Sequence, residues 1–276
     1  MEKTQQKKQE YNNKIPNIMF TAVISIFTAF LVGFIMLAIL MILIKGVPNL
    51  GESLMTPEIR FSIQLSLLTS LVSTVLCIIF AIPISYGVVR TEFFGKRIVN
   101  TILDIPIALP PIVSGVALLL LFGNTPFGHF LADLGLKFTF TVKGIILAQF
   151  FVNVPYMIRI LKSTISDIDT RIEFVSRTLG CNKIQSFFKV TLPLAKNGLV
   201  ASIVITWARS LGEFGAALML AGATRMKTET LPVSLFLNMS CGDLKLGLAA
   251  ASILIIISIV SLLIFETLGG KTILKM

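Results

Sequence analysis

Four polar residues interrupt an apolar segment in the second half of the chain and could carry chemistry. They follow the i, i+3, i+4, i+7 spacing of one helix face: Thr206, Arg209, Ser210 and Glu213. Arg209 and Glu213 are four residues apart, so on one helix they could form an ion pair. Such a pair would avoid the cost of an unpaired charge inside a bilayer. A charged residue within a membrane span is by default a functional candidate, so this stripe is a candidate pathway or gate. A structural Arg–Glu lock between helices is the alternative.

A second irregular segment, residues 100–122, is apolar but carries several prolines. Pro110 and Pro111 interrupt helical hydrogen bonding, which a bilayer tolerates only where protein or a water-filled cavity covers the break. Ser114 adds a hydroxyl one turn later. These three residues are therefore candidate liners of a pathway, and a purely structural kink is the alternative.

Residues 162–198 form the longest polar run in the middle of the chain. Within residues 168–179, apolar residues recur on one predicted helix face: Ile168, Ile172, Val175 and Leu179. Asp167 and Asp169 stand where N-cap residues belong, and Gly180 is suited to a C-terminal turn with positive φ. The pattern predicts a short amphipathic helix that ends at a sharp turn.

A second apolar face follows that turn, and we expect Pro193 to end it because proline cannot continue a helix. Its residues are Ile184, Phe187, Phe188 and Val190. The loop is therefore predicted to form a helix-turn-helix with one apolar and one basic face.

Bond chemistry within the chain is not expected. One histidine and three dispersed cysteines assemble neither a catalytic set nor a metal cluster. The G-K-T at residues 270–272 would need glycine at position 265 to complete a phosphate-binding loop, and that residue is Phe265. We therefore predict no catalytic residue, no metal ligand and no cofactor in this chain.

Composition places the chain in a membrane. Of the 276 residues 55% are apolar, and the mean hydropathy is +0.89, so most of the apolar surface must face lipid. The net charge of +10 is scattered over short loops, which argues against nucleic-acid binding.

The predicted fold is an all-α integral membrane protein with six transmembrane helices, each near the ~20 residues needed to cross a bilayer. The spans are residues 18–44, 61–89, 100–122, 144–161, 199–222 and 246–268, between tails at 1–17 and 269–276. No small-residue cleavage site follows the first run, so we expect a retained span and not a signal peptide.

Positive residues predict the orientation of these spans. With Arg209 left out because it lies inside a span, Lys and Arg number 16 on the side that holds both termini and residues 162–198, and 7 on the other side. Because positive residues accumulate in cytoplasmic loops, both termini and this loop are predicted to be cytoplasmic.

The loop resembles the "EAA" coupling loop of ABC importer permeases. In that pattern Gly is followed by nine residues, a branched apolar residue, any residue and Leu-Pro, as in Gly180 and V-T-L-P at 190–193. The family's Glu falls on Phe174, with the acid one residue earlier at Glu173. The resemblance implies that a separate ATPase subunit receives this loop through Glu173, Phe174, Val175, Ser176, Arg177, Gly180, Leu192 and Pro193.

Two further segments resemble the oxyanion branch of these permeases. They are W-A-R-S-L-G-E-F-G-A at residues 207–216 and D-I-P-I-A-L-P-P at residues 104–111. The resemblance implies a molybdate/tungstate permease, close to sulfate/thiosulfate permeases, of the type I importer kind. It also implies a homodimer, two cytoplasmic ATPase subunits that hold ATP and Mg²⁺, and an extracytoplasmic oxyanion-binding protein.

Two other function classes are less well supported. An ion-coupled secondary transporter should show inverted repeats, and no clear repeat is visible. A membrane-embedded enzyme would need a catalytic constellation that the sequence lacks.

Overall fold

Apolar segments of this chain fold as helices, because a backbone within lipid must satisfy its N–H and C=O groups internally. The computed structural model describes the backbone of residues 2–269 and the side chains of residues 20–263. In that part of the chain the regular structure is helical, with a 3₁₀ turn at Val47–Asn49 and a π-helical turn at Phe187–Thr191. The helices are α1 Glu2–Gly46, α2 Leu50–Ser53, α3 Pro57–Arg90, α4 Lys96–Ala108, α5 Pro111–Asn124, α6 Pro126–Asp133, α7 Val142–Ser166, α8 Thr170–Thr178, α9 Lys183–Ser186, α10 Leu192–Leu194, α11 Lys196–Leu211, α12 Gly215–Ala221, α13 Leu231–Ser240 and α14 Leu244–Gly269.

Four stretches are helical, long and apolar enough to cross a membrane. They are Phe20–Ser53, Pro57–Arg90, Val142–Ser166 and Leu244–Leu263. Most side chains of the first stretch are exposed, as expected of a helix surrounded by lipid. These stretches contain or overlap the predicted spans at 18–44, 61–89, 144–161 and 246–268.

The other two predicted spans are not single straight helices. Residues 100–122 fall on α4 and α5, whose axes are bent by 112° at residues 109–110. The expected proline break is therefore present and is sharper than a kink. Residues 199–222 fall on α11 and α12, which are separated at residues 212–214. If each bent helix pair is one span, the described chain has up to six spans, with α9–α11 bent by 72° as the second pair.

The structure describes the backbone of most of the predicted N-terminal tail but only one residue of the predicted C-terminal tail. The backbone of α1 begins at Glu2, within the predicted N-terminal tail at residues 1–17. Residues 270–276 of the predicted C-terminal tail lie outside the described residues.

Two buried clusters hold the bundle together around α7. One joins α3 to α7 through Cys77, Ala81, Met157, Ile158 and Leu161. The other joins α3, α5 and α12 to the N-terminal half of α7 and includes Leu65, Leu118, Ile145, Val152 and Leu220. Gly115 allows α5 to approach α12 closely, since a Cβ at this position would lie 2.7 Å from the Ala216 Cα.

Candidate functional site

The loop at residues 162–198 begins with the predicted amphipathic helix, α8. Asp169 caps it, because its Oδ1 accepts the Arg171 N–H at 2.9 Å. Asp167, which was predicted as an N-cap, instead follows the C-terminus of α7. Gly180 has φ +96°, and the N–H groups of Gly180 and Cys181 donate to the carbonyls of Arg177 and Ser176. This is the Schellman arrangement, which confirms the predicted turn.

The second half of the loop differs from its prediction. A capping box between Asn182 and Gln185 starts α9, and the chain continues through the π-helical turn at Phe187–Thr191. Pro193 lies at the start of the short helix α10 and does not end the helical segment. Proline is tolerated in a first helical turn, where its missing N–H has no partner to lose. The break comes at Ala195, before α11.

The loop carries its apolar side chains outward. Six of them are 45% to 81% exposed and form what we call the docking face: Ile172, Phe174, Val175, Leu179, Ile184 and Phe188. A loop helix that merely packs on its own bundle would bury these side chains. The docking face is therefore a surface that a partner or lipid could cover.

Glu173 points the other way, into the protein. Its Oε1 accepts from Arg90 Nε and from Thr191 Oγ1, each at 2.9 Å, and its Oε2 accepts from Tyr86 Oη at 3.3 Å. Its side chain is only 12% exposed. Glu173, which stands one residue before the position of the family's Glu, therefore anchors the loop to the end of α3. Phe174, at the position of the family's Glu, is exposed on the docking face.

The remaining predicted loop residues have distinct places. Ser176 is buried, and its hydroxyl lies 2.7 Å from that of Ser186, where a larger side chain would separate α8 from α9. Arg177 lines a cavity of 210 Å³ between α3, α8 and α9. Leu192 is half-buried and Pro193 is exposed.

Arg209 is not paired with Glu213 as predicted. Its Nε donates to Asn153 Oδ1 at 3.3 Å, and its guanidinium carbon lies 3.7 Å from the centre of the Tyr156 ring. Asn153 Nδ2 in turn donates to Ser210 Oγ at 3.1 Å, and Gln149 Nε2 donates to the Ser210 carbonyl at 2.9 Å. Arg209 is therefore held by polar and aromatic groups of α7.

Glu213 lies beyond the end of α11, because that helix stops at Leu211. The predicted stripe over one continuous helix is wrong at this residue. The Glu213 Oε1 accepts the Ala216 N–H at 2.9 Å, so this carboxylate caps the first turn of α12. Thr206 is fully buried, and its hydroxyl has no hydrogen-bond partner among the described residues.

The proline segment meets α12 next to Glu213. Pro110 is the N-cap residue of α5, Pro111 is its first residue, and Ser114 is fully buried. A Cβ on Gly215 would lie 3.1 Å from the Pro111 side chain. The structure thus brings the beginnings of α5 and α12 together, while Arg209 lies against α7.

Five functional candidates were missed by sequence reasoning. They are Tyr86, Arg90, Gln149, Asn153 and Tyr156. The last three follow i, i+4, i+7 spacing within an apolar span, which was a usable signal for one polar face. Tyr86 and Arg90 are also one turn apart, but nothing local predicts their contact with a loop far along the chain.

Metal binding has no obvious site in residues 20–263. That part of the chain contains no group of three or more His, Cys, Asp or Glu side chains arranged to hold an ion.

Comparison with known proteins identifies close sequence relatives. Residues 80–272 match the family described as binding-protein-dependent transport system inner membrane component. The probable transport system permease protein NifC of Clostridium pasteurianum is 36% identical over 227 residues, covering 81% of this chain and 79% of that protein. The molybdate/tungstate transport system permease protein WtpB of Pyrococcus furiosus is 36% identical over 196 residues, covering 70% and 74%. The sulfate transport system permease protein CysT of Salmonella typhimurium is 31% identical over 216 residues, covering 78% of each.

A solved structure shares the fold. It is a chain of a bacterial alginate ABC transporter in complex with an alginate pentasaccharide-bound periplasmic protein. The match has a TM-score of 0.73 and covers 92% of this chain and 94% of that chain, at 14% identity. At this identity the likeness establishes the all-helical architecture alone.

Proposed function

The chain belongs to the family of inner membrane components of binding-protein-dependent transport systems, and we propose that it translocates a tetrahedral oxyanion, with molybdate or tungstate as the substrate. Family membership makes it a permease subunit of an ABC transporter. Sulfate or thiosulfate is the second candidate, since a sulfate permease is also similar over most of the chain.

The docking face is the observation that carries the proposed mechanism. Its exposed apolar side chains surround the Gly180 turn and are not covered by the part of the bundle that the structure describes. Apolar patches of this kind occur at protein or membrane interfaces, and we propose that this one docks into a groove of a separate ATPase subunit. ATP and Mg²⁺ would bind to that subunit, with no cofactor and no ATPase site in this chain.

The proposed assembly has two copies of this chain, two cytoplasmic ATPase subunits and an extracytoplasmic oxyanion-binding protein. The chain would lie in the cell membrane with both termini and the docking face in the cytoplasm. The excess of Lys and Arg on that side supports this orientation.

Arg209 is the proposed contact for the anion on the pathway. Asn153 and Tyr156 hold the Nε and the face of the guanidinium. Neither of them carries a negative charge, so the guanidinium keeps its charge for a passing anion. Its other N–H groups can donate to oxygen atoms of a tetrahedral dianion. One guanidinium whose contacting side chains, Asn153 and Tyr156, are neutral binds weakly enough to release the anion.

The break at Pro110 and Pro111 would let α4 and α5 move against each other as the pathway opens. In this proposal Ser114, Thr206, Ser210 and Glu213 are the neighbouring pathway or gate residues. The bent helices can change their angle without breaking internal hydrogen bonds, since the backbone is already interrupted at the bend.

Reconstitution tests the proposed function. Proteoliposomes would contain the chain with its ATPase and binding protein, and uptake of molybdate, tungstate and sulfate would be measured with and without ATP. We expect ATP-dependent uptake of molybdate and tungstate. Uptake by the chain alone under an imposed ion gradient would instead establish a secondary transporter, and uptake of sulfate alone would establish the second candidate.

Replacement of Arg209 tests the pathway. Arg209→Gln should reduce both anion uptake and anion-stimulated ATP hydrolysis. Arg60→Gln is the control, since Arg60 is an exposed arginine that donates to the Leu54 carbonyl. Unchanged uptake in Arg209→Gln would remove Arg209 from the pathway.

A further inference from the structure

Glu173 ties the docking face to the end of α3. Its carboxylate bonds to Arg90 and Tyr86 on α3 and to Thr191 in the second half of the loop. Within residues 20–263, it is the only side chain of α8 that bonds to a long membrane-crossing helix. The other side-chain bonds of α8 stay within α8 or reach Ser186.

The end of α3 reinforces this contact. Arg90 Nη2 donates to the Ile168 carbonyl at 2.9 Å, just before α8. The Tyr86 ring packs edge-on against Phe187, with 4.7 Å between ring centres. The last turn of α3 therefore contacts the loop before α8, within α8 and after α9.

The ion pair is well protected from solvent. The Arg90 and Glu173 side chains are 10% and 12% exposed. The loop between α3 and α4 contains a second cytoplasmic ion pair, Lys96–Glu92, in which Glu92 is 90% exposed. An exposed pair contributes little, whereas removing one partner of a buried pair leaves an uncompensated charge.

We propose that Glu173, with Arg90 and Tyr86, is the joint through which movement of the docking face is passed to α3. This inference rests on the proposed function, because it needs an ATPase that moves the docking face. Glu173 acts here as a positioning residue, separate from the apolar side chains that contact the partner.

The route continues from α3 to α7. Ser85, one residue before Tyr86, donates its hydroxyl to the Ile158 carbonyl of α7 at 3.2 Å. Two residues earlier on α7, Tyr156 lies against Arg209. Movement of the end of α3 would therefore reach the helix that holds the proposed anion contact.

Glu173→Gln tests the joint in the reconstituted complex. The variant keeps the side-chain shape and the whole docking face, so the ATPase should co-purify at the wild-type level. We expect anion uptake per ATP hydrolysed to fall about tenfold, within the range usual for coupling between distant sites. Glu92→Gln, which removes the exposed pair, should leave this ratio unchanged.

Two results would overturn the joint. An unchanged ratio of uptake to hydrolysis in Glu173→Gln would show that the ion pair transmits nothing. Loss of ATPase co-purification to the same extent as in Phe174→Asp would place Glu173 in the docking surface itself. A wild-type complex without ATP-dependent uptake would overturn the proposed function instead.

Arg90→Lys provides a second measurement if Glu173→Gln does not fold. Lysine keeps the charge opposite Glu173 but cannot also reach the Ile168 carbonyl with a second nitrogen. An intermediate fall in the same ratio supports the joint, and a wild-type ratio contradicts it.

Discussion

The guanidinium carbon of Arg209 lies 3.7 Å from the centre of the Tyr156 ring. The sequence predicted a carboxylate partner for this arginine, and the structure supplies an aromatic face and an amide. A carboxylate would cancel the positive charge, whereas the ring stabilises the cation and leaves the charge in place. This difference decides whether Arg209 can attract an anion.

Replacement of Tyr156 should reduce the rate of uptake only when the aromatic ring is lost. Tyr156→Leu removes the aromatic face, worth about 1 kcal/mol, and should reduce uptake about fivefold. Tyr156→Phe keeps the ring and should transport at nearly the wild-type rate. Initial rates of molybdate uptake at subsaturating concentration measure both. Equal losses in the two variants would contradict a role for the ring.

Asn153→Asp should inhibit transport by neutralising Arg209. It places a carboxylate where the amide oxygen now lies 3.3 Å from Nε. We expect uptake to fall about tenfold or more, which corresponds to at least about 1.4 kcal/mol. Asn238→Asp is a matched control, because Asn238 is also buried and accepts from Arg225 at 3.0 Å away from this cluster. A similar loss in both variants would indicate a general effect of a buried carboxylate.

Gly115→Val should destabilise the bundle. Its Cβ would lie 2.7 Å from both the Cα and the carbonyl oxygen of Ala216, and backbone atoms cannot give way easily. Overpacking of this kind costs about 1–3 kcal/mol, so the thermal midpoint in detergent should fall. Gly33→Val is the control, since no atom of residues 20–263 lies within 4 Å of its added Cβ. Similar midpoints for both variants would refute close packing of α5 on α12.

Gly180→Val should weaken binding of the ATPase while the spans stay folded. Among the described residues no atom obstructs a side chain here, so the cost comes from φ +96°. That cost is about 1–2 kcal/mol for a residue with a Cβ. Gly180→Asn should bind the ATPase better than Gly180→Val, because asparagine tolerates this backbone region. Co-purification yield and the thermal midpoint separate docking from folding, and wild-type yield for Gly180→Val would contradict the proposal.

The sequence alone determined the features that depend on local composition and spacing. Apolar runs of about 20 residues predicted the helical membrane fold, because a helix hydrogen-bonds its own backbone N–H and C=O groups within lipid. The loop at residues 162–198 was recognisable from its polarity, its helical period and Gly180. A glycine after a helical pattern is a local signal for a turn with positive φ. The same periodicity predicted an apolar face on the first helix of that loop, whereas the structure showed that apolar side chains of the loop are exposed.

Tertiary structure decided the partners of the charged residues. Helical spacing placed Glu213 beside Arg209 on the assumption of one continuous helix, but α11 ends at Leu211 and the carboxylate caps α12. Arg90 and Glu173 are 83 positions apart, so no local pattern could pair them. The physical reason is that a charge leaving water takes whichever partner the packing brings within reach, and that partner is set by how helices bend and cross.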